Sequence, residues 1–250
     1  MKKTILLLFY IFVSLTAFCQ KPYLKKGQPA AQKKWTLSYK DDFRKNSTID
    51  KNWMPQNASP EHILSSRWRE NLSVKYGKLR IKNMSERRGG KEWTSGNMIC
   101  RTNNGYGYYE CRVKIARAHG VNNSFWMSAG RKSGLHGFEI DFFEITYPNV
   151  IHYTVHDFGI EKNKETKSFS ETFKPDADLS TAYHVYGVDW NENTIDFYFD
   201  GVLKWSVDNK VCNHIGPMEF GTAVLPWAHI SDEIDNSQMF VDYVRYWKEN

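Results

Sequence analysis

Residues 137–145 read Gly137-Phe138-Glu139-Ile140-Asp141-Phe142-Phe143-Glu144-Ile145, an alternation of apolar and acidic residues that is typical of a β-strand. Such a strand has one face in an apolar core and one face outside it. Burying three unpaired carboxylates would cost several kcal/mol. We therefore predict that the acidic face of this strand borders a wet cavity.

Strict alternation accounts for only two of the three acids. It places Glu139 and Asp141 on one face but turns Glu144 into the core with Ile140 and Phe142. One extra residue, a β-bulge near Phe142-Phe143, returns Glu144 to the side of the other acids. Because bulges are common beside active sites, we predict one here.

The spacing of Glu139 and Glu144 favours one kind of chemistry. Across the bulge their Cα atoms lie four strand steps, or ~13 Å, apart. Two inward-leaning side chains then bring the carboxyls to about 5 Å, as in a retaining glycosidase; an inverting one needs roughly 6.5–9.5 Å. The pair would supply a nucleophile and an acid/base. Asp141 would hydrogen-bond the nucleophile and help to keep Glu144 protonated.

A carboxylate cluster that binds calcium or caps loops is the alternative interpretation of these acids. Calcium sites usually draw their ligands from loops and backbone carbonyls, whereas these acids lie in a strand-like stretch with two phenylalanines. We therefore favour catalysis.

Short alternating runs separated by turn signals continue on both sides of this stretch. Residues 72–81 with Tyr76-Gly77, and 195–207 with Asp200-Gly201, predict two hairpins. Residues 98–101 and 108–115 predict a third, and 240–247 a last strand. With no amphipathic helix longer than two turns, this pattern predicts an all-β sandwich or barrel, one domain over residues 35–250.

The composition excludes several classes of protein. Aromatic residues make up 15% and charged residues 25% of the 250 residues, unlike a disordered chain or a polytopic membrane protein. The net charge of +6 is spread along the chain, without the basic stripe of a nucleic-acid-binding protein. An anionic polysaccharide remains a candidate partner.

The amino-terminal residues predict export. Residues 1–19 combine a basic start, a short apolar run and a small-residue cleavage site, as in a signal peptide for secretion or transport to the periplasm. Lipidation of Cys19 is less favoured because bulky Phe18 precedes it. Residues 20–34 are polar and basic and predict a flexible leader.

Three cysteines remain after such a cleavage, Cys100, Cys111 and Cys212. An odd number leaves at least one thiol unpaired, and we expect no essential disulfide. The chain has no CxxC pair to suggest structural zinc.

Glu139-Ile140-Asp141-Phe142-Phe143-Glu144 resembles the active-site signature of glycoside hydrolase family 16, in its laminarinase- and agarase-like members. The resemblance extends over nearly the whole mature chain, through blocks at 70–74, 94–96, 106–114, 125–127, 188–190, 199–201 and 241–245. It implies a concanavalin-like β-jelly roll, whose two curved antiparallel sheets form a concave cleft for a polysaccharide. It also implies Glu139 as nucleophile, Asp141 as its assistant and Glu144 as acid/base.

The resemblance further implies a structural calcium ion at Asp42, Gly77 and Asp242, on the convex face. The reaction itself needs no cofactor. An ion pair between Asp242 and an arginine or lysine is an equal alternative.

Histidines follow the acidic stretch. His152 and His156, four apart on a predicted strand, lie ~13 Å from each other, too far to chelate one metal. In the family that the chain resembles, the second histidine of this pattern borders the acid/base. We therefore expect His156 in the cleft, and His152 more weakly so.

Aromatic rings stack on the apolar faces of sugars, and the family blocks place four tryptophans as cleft candidates: Trp68, Trp93, Trp126 and Trp227. Arg69 is a candidate for binding sugar hydroxyls. The remaining tryptophans are expected to be structural, namely Trp35, Trp53, Trp190, Trp205 and Trp247.

Two departures from the family pattern leave the sugar open. Asn122-Asn123-Ser124 stands where many members have Trp-Pro-Ala, and Leu225-Pro226 precedes Trp227 where glucanases often have Gly-Gly. Both are expected in substrate-contacting loops. The candidate substrates are a β-glucan and a β-galactan, the latter with or without sulfate groups.

These inferences converge on an exported endo-acting retaining β-glycanase. We expect a monomer without a transmembrane segment and without a nucleic-acid partner. A non-catalytic, lectin-like protein on the same fold and a transglycosylase are the alternatives.

Overall fold

The structure, a computed structural model, describes residues 20–161 and 166–250. The predicted signal peptide, 1–19, and Cys19 lie outside the described residues. Within these ranges the chain forms one short helix, α1 (Ser47–Asn52), together with 3-10 turns at Pro29–Gln32, Arg69–Asn71 and Asp232–Ile234. In chain order the strands are β1 (Trp35–Asp41), β2 (Trp53–Pro55), β3 (Ser65–Arg67), β4 (Leu72–Lys75), β5 (Lys78–Lys82), β6 (Met84–Arg88), β7 (Lys91–Ser95), β8 (Asn97–Asn104), β9 (Gly107–Lys114), β10 (Val121–Ala129), β11 (Phe138–Thr146), β12 (Val150–Asp157), β13 (Lys167–Phe173), β14 (His184–Trp190), β15 (Thr194–Phe199), β16 (Val202–Asp208), β17 (Gly216–Val224) and β18 (Gln238–Glu249).

Most strands belong to two stacked antiparallel sheets. The outer sheet has the order β16-β15-β14-β9-β18-β5-β4, and β1 pairs with β18 beside it. The cleft sheet has the order β13-β12-β11-β10-β17-β8-β2. A small third sheet, β3-β7-β6, includes the one parallel pairing among the described strands, between β3 and β7. The predicted all-β sandwich is confirmed.

Alternation along the strands builds the core between the sheets. In β9 of the outer sheet, the side chains of Tyr109, Cys111 and Val113 point into the core. From the cleft sheet, Phe125 of β10 and Phe220 of β17 contact each other in the same core. The phenyl rings of these two phenylalanines stack at 4.2 Å. This burial of large aromatic side chains is the main favourable contribution to folding.

The structure confirms two of the predicted hairpins and overturns the third. β4–β5 and β15–β16 are joined by two-residue turns, Tyr76-Gly77 and Asp200-Gly201, whose residues all have positive φ. Such turns match the twist of the strands they join. β8 and β9 do not pair, because they lie in different sheets. The turn signal at residues 103–105 therefore marks a crossing between sheets.

Residues 20–34, predicted to be a flexible leader, instead pack against the outer sheet. Ala30 is fully buried in a small cluster with Tyr108, Tyr198 and Trp247. The backbone N–H of Lys25 donates to Gly201 O at 2.9 Å. The prediction failed because a polar composition hides the apolar contacts that this N-terminal segment makes.

All three cysteines of the described chain, Cys100, Cys111 and Cys212, are buried free thiols. None of the helices in the described residues has the length and apolar character needed to cross a bilayer.

Candidate active site

The predicted bulge lies in β11. Glu139 pairs with Ser128 of β10 and Glu144 with Ser124, so five steps along β11 match four along β10. The register shifts between Asp141 and Glu144, and Phe142 is the extra residue. Its ring packs in the core against Phe125, at 4.8 Å between centroids. The bulge therefore turns Glu144 out of the core, as predicted.

The three acids of β11 line a cleft of about 600 Å³ on the face of the cleft sheet that points away from the core. Trp126, Trp227 and His156 line the same cleft, as predicted. The remaining lining residues are His62, Ile63, Arg67, Asn122, Ser124, Ser128, Glu219, Ala223 and Leu225.

Asp141 and Ser168 contact the two ring nitrogens of His156. His156 Nε2 lies 3.1 Å from Asp141 Oδ2, and its Nδ1 lies 2.8 Å from Ser168 Oγ. The hydrogen bond to Asp141 raises the pKa of His156 despite partial burial of the ring. These contacts hold the imidazole across from the three carboxyls.

His156 lies near both glutamates of the site. It pairs in register with Glu139, and its positive charge acts to lower the pKa of Glu139 and that of Glu144. His152 is the residue opposite Glu144. The ring of His152 contacts Thr172 Oγ1 at 3.0 Å, and His152 does not line the cleft.

Burial raises the pKa of every acid in the trio. Burial raises the pKa of Glu139 to about 8, with the charge of Asp141 as the next cause. Burial and then Asp141 also raise the pKa of Glu144, against a hydrogen bond from Asn122 Nδ2 that favours the charged form. The cluster therefore retains a proton near neutral pH, which a general acid requires.

Glu219 and Arg67 also face the cleft, and sequence reasoning missed both. Glu219 lies opposite Trp126 and accepts a hydrogen bond from Ser128 Oγ at 3.2 Å; burial raises its pKa. Burial lowers the pKa of Arg67, against the opposing charges of Glu219 and Glu139. Glu219 lies in sequence between two core residues, Met218 and Phe220. This alternation could have placed its side chain on the outward face of the sheet. The three-residue strand of Arg67 offered no such signal.

Three other predicted substrate contacts lie outside the cleft lining. Trp68 donates to Ser66 Oγ and lies under Arg88, whose guanidinium is 3.9 Å from the ring. Trp93 packs on a separate small cluster that includes Val224. Arg69 is occupied by Asp50, in a bidentate contact at 2.7 Å, and by the carbonyl of Leu72.

The two tryptophans that line the cleft differ in exposure. Trp126 lies over Gly221, where an added Cβ would approach its ring to 3.3 Å, whereas Trp227 is 74% exposed. Among the tryptophans expected to be structural, Trp53, Trp190 and Trp247 are fully buried and Trp35 and Trp205 partly so.

Asn122-Asn123-Ser124 lies in β10 and not in a loop. Asn122 and Ser124 face the cleft, while Asn123 accepts from Ala116 N and donates to Ile145 O inside the molecule. The difference from the family pattern therefore reaches the acid/base candidate directly, through Asn122. Leu225 and Trp227, by contrast, reach the cleft from the turn after β17.

The predicted calcium site fits its residues poorly in this arrangement. Lys78 and Arg112 both donate to the carboxylate of Asp242, and Arg245 donates to Asp42 at 3.1 Å. Two cations thus already neutralise Asp242, as the ion-pair alternative expected. Calcium at this place stays a prediction.

Comparisons with known proteins agree on one family. The family model described as Glycosyl hydrolases family 16 matches residues 59–245. The chain is 27% identical to a kappa-carrageenase of Pseudoalteromonas carrageenovora, covering 94% of this chain and 69% of that protein. It is 29% identical to a beta-glucanase of Bacillus subtilis (strain 168), covering 58% of this chain and 60% of that protein.

Solved structures share the fold at lower identity. Porphyranase B from Zobellia galactanivorans superposes with a TM-score of 0.80 and 19% identity, covering 92% of this chain and 99% of that chain. The catalytic domain of an endo-1,3-beta-glucanase (laminarinase) from Thermotoga petrophila RKU-1 gives 0.76 and 21%, covering 87% and 99%.

Proposed function

The chain belongs to glycoside hydrolase family 16, and from this premise we propose that it is an exported, retaining, endo-acting β-glycanase. Hydrolysis of β-glycosidic bonds follows from the family. The proposal covers the retention of configuration, the roles of the residues, the export and the substrate. The observation that carries it is the β11 bulge, which turns Glu139 and Glu144 to one cleft on either side of Asp141.

In the first proposed step, Glu144 gives its proton to the glycosidic oxygen while Glu139 attacks the anomeric carbon. The bond to the leaving sugar breaks and a glycosyl ester forms on Glu139. Burial and the charge of Asp141 support this role for Glu144, because both raise its pKa and thus favour its protonated form.

In the second step, Glu144 takes a proton from water, and the water oxygen attacks the same carbon. The ester bond breaks, Glu139 leaves as a carboxylate, and Glu144 is protonated again. Two displacements return the original β-configuration.

The reactive form has Glu139 ionised and Glu144 protonated. Since the pKa values of both residues are raised, the two sites titrate together, and the fraction in this form rises and then falls with pH. We propose that His156, held by Asp141, favours ionised Glu139, because its charge opposes the effect of burial on the pKa of Glu139.

The lining favours a neutral sugar unit at the bond that is cleaved. Among the described residues, four carboxyl residues line this part of the cleft, Glu139, Asp141, Glu144 and Glu219, against two cationic side chains, Arg67 and His156. An anionic substituent placed among them would be repelled. We propose a β-glucan or a β-galactan, with any sulfate carried on units away from the bond.

Azide rescue tests the assigned roles. In Glu144→Ala, azide should replace water in the second step and give a β-glycosyl azide. In Glu139→Ala, azide should replace the nucleophile and give the α-anomer by a single displacement. Proton NMR identifies the anomers, and exchanged anomers would reverse the two roles.

Reducing-sugar release from laminarin, lichenan, agarose, porphyran and carrageenan identifies the polysaccharide. Random internal cleavage in size-exclusion profiles is expected. Binding of these glycans without any release would instead support a lectin-like protein, and transfer to added oligosaccharides would support a transglycosylase.

A further inference from the structure

The outer face of the outer sheet carries a concentrated positive charge that catalysis at the cleft does not use. In β5 and β9, Leu79, Ile81 and Val113 point into the core, so the residues between them face away from the cleft sheet. The cations on this side, with Lys75 of β4, form what we call the basic face: Lys75, Lys78, Arg80, Lys82, Arg112 and Lys114.

Strand pairing arranges five of these cations in two rows across the sheet, and Lys82 lies beside Gln238 next to them. Arg80, Phe240 and Lys114 are direct neighbours on β5, β18 and β9. In the second row, Lys75 pairs with Lys78, and Asp242 of β18 contacts both Lys78 and Arg112. Strands lie about 4.8 Å apart, so Arg80 and Lys114 are held ~10 Å apart on either side of the Phe240 ring.

Aromatic rings lie between the cations. Arg80 is 5.6 Å from the rings of both Tyr76 and Phe240, and Lys114 is 5.0 Å from that of Phe240. Arg112 is 4.7 Å from the ring of Tyr183. Cation–π contacts at these distances hold the long side chains in place before any ligand binds.

The charge on this face is poorly compensated. Among the described residues of the two rows, Asp242 is the single acid, against five cations: Lys75, Lys78, Arg80, Arg112 and Lys114. Glu233 and Asp235 lie in a neighbouring depression beyond Lys114.

We propose that the basic face is a second binding site for a sulfated or carboxylated polysaccharide, separate from the catalytic cleft. The cations would pair with anionic substituents along an extended chain, and the rings of Tyr76, Tyr183 and Phe240 would contact apolar faces of sugar units. The flat, two-row layout suits a linear polymer. Such a site would hold the enzyme on an anionic matrix while the cleft acts on neutral units.

Binding of dextran sulfate tests the proposal, with neutral dextran as the matched probe. Both are α-glucans, which a β-glycanase does not degrade, so the outcome is independent of the proposed catalytic function. At low salt the protein should bind dextran sulfate and not dextran, in affinity electrophoresis and in calorimetry. The binding should weaken steeply with added salt.

Two double variants that lose the same charge distinguish binding at the basic face from general electrostatic attraction to the protein. Arg80→Gln with Lys114→Gln should raise the Kd at least tenfold. Lys26→Gln with Lys34→Gln, on exposed lysines of the N-terminal segment, should change it less than twofold. Lys75→Gln with Tyr76→Ala, at the exposed turn, provides a second variant if the first one fails to fold.

Equal weakening in the N-terminal control would overturn the proposal, as would a lack of binding to dextran sulfate. Binding to phosphatidylglycerol vesicles without binding to dextran sulfate would overturn it in favour of a lipid surface.

Discussion

Two glutamates with raised pKa values, one in each sheet, show how the same physical effect has different consequences. Burial raises the pKa of Glu139 in the cleft sheet to about 8, and that of Glu110 in the outer sheet to about 7. Glu110 accepts from Tyr23 N at 2.6 Å and from Tyr243 OH at 2.9 Å, beneath the N-terminal segment. Glu139 opens onto the cleft. A shifted pKa thus indicates a functional site only where the group is also accessible.

The charges around the two glutamates also differ. After burial, the next cause that raises the pKa of Glu139 is the like charge of Asp141, whereas hydrogen bonds and Arg245 oppose the shift at Glu110. Repulsion from Asp141 raises the pKa values of Glu139 and Glu144, at a place where a substrate can reach both carboxyls. Glu110 does not line the cleft, so the raised pKa that burial gives it should affect stability and not catalysis.

The largest expected effect is on catalysis. Glu139→Gln should lower kcat/KM by about 10⁴-fold or more, because the amide cannot form the glycosyl ester. Glu110→Gln, the matched change in the outer sheet, should alter kcat/KM less than twofold. Initial rates on the best polysaccharide of the panel measure both, with circular dichroism as the check on folding. Comparable losses in the two variants would contradict the comparison.

The second effect is on stability, and here Glu110 should matter. Its folded pKa of about 7 lies above its ordinary value of 4.5, so the folded state binds the proton more tightly. The resulting stabilisation is fully present below pH 4.5 and is lost as the pH rises through about 7, a difference of about 3 kcal/mol.

Glu110→Gln removes this dependence, because the amide does not titrate. Urea unfolding at pH 4.5 and pH 8 should therefore show that the wild type loses about 3 kcal/mol more than the variant does between the two pH values. Parallel losses in the two proteins would mean that the proton on Glu110 does not stabilise the fold.

Much of the cleft sheet could be predicted from local sequence, and less of its surroundings. The alternation around Ile140 and the break at Phe142-Phe143 suffice to predict the strand, the bulge and the shared face of the three acids. Arg67 comes from a short strand whose parallel partner, β7, lies distant in sequence. Such pairing leaves no local pattern. The contacts of Trp68 and Arg69 with Arg88 and Asp50 were equally invisible.

In the outer sheet, too, local sequence predicted the hairpins but not the contacts around them. The turns at Tyr76-Gly77 and Asp200-Gly201 predicted its hairpins, because positive φ at both turn positions restricts the residue types. The covering of Glu110 by the N-terminal segment was missed. Its apolar contacts come from a few isolated residues, such as Ala30 and Leu24, among lysines. The positive charge was counted correctly but looked evenly spread, because β5 and β9 come together only in the folded sheet.

A smaller effect is expected at Asp141. Asp141→Asn removes the negative charge that raises the pKa of Glu144, so Glu144 should lose its proton at lower pH. The alkaline limb of the kcat/KM profile should move to lower pH, with a loss of roughly 10- to 100-fold in kcat. His152→Gln is the matched control, because His152 lies outside the cleft lining and contacts Thr172. An unmoved alkaline limb in Asp141→Asn would show that Asp141 does not act on Glu144.

The smallest effect separates cleft tryptophans from those elsewhere. Trp227 is 74% exposed at the cleft, so its ring contributes little to packing and is available to a sugar face. Trp227→Ala should raise KM about fivefold, equivalent to about 1 kcal/mol, with little change in kcat or in the melting temperature. Trp68→Ala should do the reverse, because its ring lies under Arg88 outside the cleft and its Nε1 is held by Ser66. Steady-state kinetics gives KM and kcat of the two variants, and thermal unfolding gives their melting temperatures. A fall in kcat at Trp227 would mean that the ring acts on the transition state and not on the bound polysaccharide alone.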